Sequence, residues 1–163
     1  MSLGVDTRVE GAKKLQQKME QIARDLHGDG MIKGVKAATL LVQGDAKRNL
    51  VGYVDPATGG VDTGDLRASI VPEIRTPGDE IQGVVGSKRL HAPFVEFDTR
   101  PHMPPLKKLE VWARRHGTSA YVVALAIRRR GTKGKKYLTK ALESNNGKIK
   151  ALLGKTVGAI VKK

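Results

Sequence analysis

The densest run of reactive side chains is Arg128-Arg129-Arg130-Gly131-Thr132-Lys133-Gly134-Lys135-Lys136, with six cations among nine residues. Guanidinium and ammonium groups at this density neutralise phosphates without reading bases, and two glycines give the backbone freedom to wrap a polyanion. The same run also reads as an exposed loop that orders only on assembly. Glu96 stands alone between Phe94, Val95 and Phe97. With no second carboxylate at acid–base spacing, it is expected to pair with an arginine or accept a backbone N–H rather than work in catalysis. His27, His91, His102 and His116 contain no i, i+4 pair, and the chain has no cysteine, so metal sites, disulfides and thiolate nucleophiles are not indicated. Gly59-Gly60 and Thr63-Gly64 lack the Gly-Lys-Ser/Thr ending of a phosphate loop after a buried strand. No enzyme and no cofactor is expected.

Charge separates the chain into two parts. The formal net charge is +14, but residues 1–99 hold 13 basic and 14 acidic side chains, whereas residues 100–163 hold 17 basic and 2 acidic. A segment so basic repels itself and is expected to face something anionic, either nucleic acid or an acidic protein surface. No apolar run reaches the roughly 18 to 20 residues of a bilayer span, and the N-terminus lacks a basic-then-apolar signal pattern, so a soluble protein made in the cytosol is expected. The length of 163 residues fits one domain, and with one Trp, three Tyr and two Phe its core must be aliphatic.

The elements that must position these side chains follow from periodicity. Ala12, Leu15, Met19, Ile22, Ala23 and Leu26 recur at steps of three and four, predicting an amphipathic helix over about Thr7 to His27. Gly28-Asp29-Gly30 breaks it, and a second helix carries Ile32, Val35, Ala38, Leu41, Val42, Ala46 and Leu50, with small Gly and Ala positions for close approach. Residues 52–61 read as a loop. It leads to Thr63, which can cap a short turn, with Leu66 and Ile70 anchoring one side. Ile70–Thr76 and Glu80–Gly86 form an antiparallel hairpin around Thr76-Pro77-Gly78-Asp79. Ala92–Phe97 is a helical turn or a third strand. Pro105 opens a helix containing Trp112 and ending at Gly117; Thr118 or Ser119 caps the next, Ala120 to about Arg130, with Val122, Val123, Leu125, Ala126 and Ile127 largely buried. The two resemble a helix-turn-helix in outline but lack a base-reading helix. A last helix runs from about Tyr137 to Val161, interrupted at Asn145-Asn146-Gly147.

Three motifs in order carry a resemblance. Thr63-Gly64-x-Leu66-Arg67-x-Ser69-Ile70, a hairpin ending in Val85-Gly86, then Ala92-x-Phe94-Val95-Glu96-Phe97-x-Thr99, and finally Lys136 to Leu142, together resemble the tail-completion, or head-tail joining, proteins of long-tailed bacteriophages. The usual Gly of the second motif is Asp98 here, a residue that tolerates left-handed backbone. The resemblance implies that Thr63, Gly64, Leu66, Arg67, Ser69, Val95, Glu96 and Thr99 fix the fold.

The expected architecture is α+β: N-terminal helices, a small antiparallel β-sheet, an inserted helical pair and a C-terminal helix. It is a single tail-completion-like domain over 1–163, with a basic helical insertion at about 100–136 and a basic C-terminal helix at about 147–163. The resemblance further implies a homo-oligomeric ring, six subunits favoured and twelve possible, in the virion at the head-tail junction after assembly in the host cytoplasm. Its neighbours would be the head connector or stopper and the tail terminator or tube proteins, with DNA passing through the lumen and no membrane. Arg128, Arg129, Arg130, Lys133, Lys135 and Lys136 would face DNA or an acidic partner. The rival reading is a sequence-nonspecific nucleic-acid-binding protein acting alone.

Overall fold

The computed structural model describes residues 4–50 and 64–162. In chain order these form α1 (Gly4–Leu26), α2 (Asp29–Asn49), α3 (Asp65–Ala68), β1 (Ile70–Arg75), β2 (Gln82–Ser87), α4 (Ala92–Glu96), α5 (Leu106–Arg115), α6 (Ala120–Arg130) and α7 (Tyr137–Val161). The fold is α+β, mostly helical, with one two-stranded sheet in which β1 pairs with β2. The chain divides into two compact units: residues 1–39, 73–84 and 147–163 in one, residues 40–72 and 85–146 in the other.

In the first unit, the break after α1 falls at His27 and Gly28, and Asp29 opens α2 with an acid in its first turn, where the helix dipole favours it. The expected break at Gly28-Asp29-Gly30 is thus confined to its first residue. His27 donates through Nδ1 to the Asp79 carbonyl at 2.9 Å, fastening the helix junction to the hairpin turn. That turn closes through the Glu80 N–H to the Pro77 carbonyl, with Gly78 at φ 58. The small positions on α2 work as expected: a Cβ on Gly34 would stand 2.7 Å from Thr156 Oγ1 of α7, so only glycine permits this approach. Val35, Ala38 and Ile160 are buried. The apolar stripe of α1, by contrast, stays exposed at Leu15 and Met19.

In the second unit, the buried aliphatic residues include Val42, Ala46, Leu50, Ile70, Ala124, Ile127 and Ala141, and Tyr137 is fully buried. Gln43 donates to the Ile70 carbonyl and Asn49 to the Tyr137 carbonyl, tying α2 to the start of β1 and to α7. Helices α5 and α6 pack against each other. Pro105 lies one residue before α5 rather than within it. Trp112 is half-buried and stacks on His116 with ring centroids 4.2 Å apart. Ser119 caps α6 by accepting the Val122 N–H at 3.2 Å, and Val123, Ala124 and Ile127 are buried, but Val122 faces solvent.

Helix α7 overturns one expectation, since it runs unbroken through Asn145-Asn146-Gly147. Asn145 is fully buried and donates through Nδ2 to the Ala141 carbonyl one turn back and to the Asp45 carboxylate of α2. Its amide is satisfied inside the helix, so the tendency of asparagine to break helices by bonding its own backbone is not exercised.

Candidate functional site

The most tightly specified place in the second unit is where the chain after α6 returns past α4. Helix α7 opens with a difficulty. Its N-cap position is Lys136, whose carbonyl accepts the Lys140 N–H at 2.9 Å but whose side chain has no acceptor to offer, and whose φ is 54. The first N–H groups of the helix therefore need an acceptor from elsewhere. Glu96 supplies it: its carboxylate accepts the Leu138 N–H at 2.8 Å, the Thr139 N–H at 2.9 Å and the Thr139 hydroxyl at 2.7 Å. A negative charge at a helix N-terminus is also favoured by the dipole. Only 4% of Glu96 remains accessible. The expectation that this carboxylate accepts backbone N–H groups holds. The apolar neighbours take the opposite places to those expected of a core segment, for Phe94 and Phe97 are 63% and 60% exposed while Glu96 points inward.

A strap of backbone contacts holds this arrangement. Thr99 N–H donates to the Thr132 carbonyl, Thr132 N–H to Thr99 Oγ1, Gly134 N–H to the Asp98 carboxylate, Lys135 N–H to the Val95 carbonyl and Lys136 N–H to the Glu96 carbonyl, at 2.7 to 3.0 Å. The Thr99 and Thr132 hydroxyls also meet at 2.7 Å. A Cβ on Gly134 would stand 2.5 Å from the Glu96 carbonyl oxygen, and one on Gly131, at φ 70, would overlap the Thr99 carbonyl. The two glycines thus allow close backbone approach. They are not the source of loop freedom that the run of charges suggested. Asp98 likewise does not use left-handed backbone; its side chain takes the Gly134 N–H instead.

The six basic residues separate by environment. Arg128, Arg129 and Arg130 form the exposed last turn of α6, and Lys133 and Lys136 are exposed on the strap. Lys135, expected to face a partner, is instead buried at 9% accessibility, on the stretch whose backbone bonds to Val95 and Glu96. Burial drives the Tyr137 hydroxyl pKa up to about 12, with the nearby Glu96 charge adding to the effect. That hydroxyl has no hydrogen-bond partner among the described residues.

The other motif is partly visible. Thr63 lies outside the described residues. The position before α3 is filled by Gly64 at φ 78. Arg67 is exposed and Leu66 half-buried, while Ile70 is fully buried. Ser69 donates to the Leu66 carbonyl at 2.8 Å and meets Ser87 Oγ of β2 at 2.7 Å, fixing the turn to the hairpin. Val95 is half-buried and contributes its carbonyl to the strap. Among the described residues no cluster of His, Asp or Glu is placed to hold a metal ion, and no helix is long and apolar enough to cross a membrane.

Glu96, Ser69 and the hairpin all lie within residues 13–97, the segment matched by the profile of the family described as the bacteriophage HK97-gp10 tail component. The chain belongs to this HK97-gp10-like family. No curated protein and no solved structure matches it. As a phage tail component the protein has a structural role in the virion. The family match ends at Phe97, so the strap, both inserted helices and α7 lie beyond it, as does nearly all of the excess positive charge.

Sequence reasoning did not find Thr132, Gly134 or Thr139 as partners of this site. The signal available was weak: a helix beginning directly after Lys135-Lys136 has no capping residue of its own, which implies an acceptor from elsewhere in the chain.

Proposed function

We propose that this tail component forms a ring at the phage head-tail junction, joining the head connector or stopper to the tail terminator or tube around the DNA channel. The observation that carries the reading is membership of a phage tail-component family combined with a basic rim presented from a rigid support. Arg128, Arg129, Arg130, Lys133 and Lys136 are exposed on a segment held to α4 and Thr99 by backbone hydrogen bonds. In a closed ring, each such rim repeats around the axis and lines the lumen or meets an acidic neighbouring ring with little ordering cost. Six subunits are favoured and twelve possible. The ring acts after assembly in the host cytoplasm, and its work is charge pairing and burial between neighbours.

The exposed cations also support a second reading, a sequence-nonspecific nucleic-acid-binding protein acting alone. Cryo-electron microscopy of virions separates the two. Symmetric density for this chain between connector and tail is the expected result. Complete particles lacking the chain, together with a purified protein that coats DNA as monomers or dimers, would replace the ring with the second reading.

A further inference from the structure

Between the N-terminal part of α2 and the C-terminal part of α7, both within the first unit, lies a groove of about 390 Å³ lined by Gly30, Lys33, Gly34, Ala37, Leu152, Thr156, Ala159 and Ile160. Its floor is apolar. The Thr156 hydroxyl already donates to the Leu152 carbonyl at 3.0 Å, so the Lys33 ammonium is the side-chain donor left to the lining. The rim is cationic on both sides. Lys33 is exposed on α2, and on α7 Lys148, Lys155 and Lys162 are exposed and follow one another at seven-residue intervals. Lys155 lies three residues after Leu152 and four before Ala159, so the lysine row runs along the edge of the stripe of α7 that lines the groove. No acidic residue follows Glu143 in the chain.

An apolar trough bordered by lysines is poorly matched to a phosphate backbone, which would engage the rim and leave the trough uncovered. It suits a ligand apolar along one face and anionic along its flanks. We infer that this groove seats an acidic amphipathic helix of a partner protein, with apolar side chains at i, i+3, i+4 and i+7 entering the trough and Asp or Glu beside the lysine row. The site is separate from the basic rim of the strap and takes a different partner surface.

The test uses the full chain and a fluorescein-labelled synthetic helical peptide with leucines at that spacing flanked by glutamates, followed by fluorescence anisotropy. Saturable binding is expected. It should weaken about tenfold or more on Ala159→Trp, which fills the trough from an exposed position, and equally on combined Lys148→Glu, Lys155→Glu and Lys162→Glu, with unchanged circular dichroism and melting temperature. Should Ala159→Trp disturb folding, Lys33→Glu is the replacement variant and is expected to weaken binding in the same way. A counterpart peptide with lysines for glutamates should not bind. Absence of saturable binding to the wild type overturns the inference. So does an affinity indifferent to Ala159→Trp or its replacement but abolished by charge reversal, with duplex DNA or phosphatidylglycerol vesicles competing equally, since the surface would then be a general polyanion face.

Discussion

At the scale of single residues, Glu96 shows how one carboxylate substitutes for a missing cap. Because it accepts two backbone N–H groups and a hydroxyl, Glu96→Ala leaves buried donors unsatisfied and is expected to lower unfolding free energy by about 1 to 3 kcal/mol. Urea denaturation measures this, with Glu96→Gln, which retains one acceptor, falling between the two. An unchanged midpoint in the alanine variant would show that the carboxylate does not cap α7. Tyr137 makes a pH prediction. Its folded pKa, about 12, lies above the ordinary value of 10, so between these values the folded chain holds a proton that the unfolded chain has lost. The Tyr137 contribution to stability is therefore fully present below pH 10 and is lost as pH rises towards 12. Tyr137→Phe removes a buried hydroxyl that has no partner among the described residues, so it should be neutral or slightly stabilising at pH 7 and should abolish the Tyr137 share of the alkaline loss; thermal melts across pH 8 to 11 compare the two. The acceptor role of Glu96 was legible from its isolation among apolar residues. The exposure of Phe94 and Phe97 was not, because α4 has five residues and too few turns for hydrophobic periodicity to reveal its inner face.

At the scale of elements, legibility followed the caps. Helix α6 was read to its boundaries, and of the two expected caps, Thr118 and Ser119, it is Ser119 that carries the chemistry. The hairpin was legible from Pro77-Gly78 between alternating strands, and the strap was misread because glycines beside lysines suggest mobility when their contacts are remote in sequence. Helix α7 was broken wrongly at Asn145 for the same reason: the Asp45 carboxylate that satisfies the amide lies 100 residues away. The strap predicts opposite outcomes at two positions. Gly134→Ala forces a Cβ against backbone atoms of residues 96–98 and should destabilise by about 1 to 3 kcal/mol. Lys136→Asn should stabilise by up to about 0.5 kcal/mol, since asparagine tolerates the positive φ of this position better than lysine, while the first-turn N–H groups stay with Glu96. Differential scanning calorimetry of both variants reads the two shifts, and a stable Gly134→Ala protein would argue against the close approach.

At the scale of the whole molecule, the basic excess and the family-matched segment occupy different parts of the chain. Neutralising Arg128, Arg129, Arg130, Lys133 and Lys136 together, all exposed, should change stability by no more than about 0.5 kcal/mol per site while weakening salt-dependent association with DNA or an acidic partner. Lys135→Gln should behave differently, lowering the melting temperature with little effect on association, because this side chain is buried. Comparison of melting curves with binding at two ionic strengths separates these groups; equal loss of stability in both would remove the partner-facing assignment of the exposed five. The remote cap of α7 also sets an order on synthesis. Glu96 leaves the ribosome some forty residues before the N–H groups it must bind, so the family-matched segment emerges with a carboxylate whose partners do not yet exist. In a nascent chain halted before Leu138 that carboxylate stays in water, so the start of α7 must be made before Glu96 can be buried.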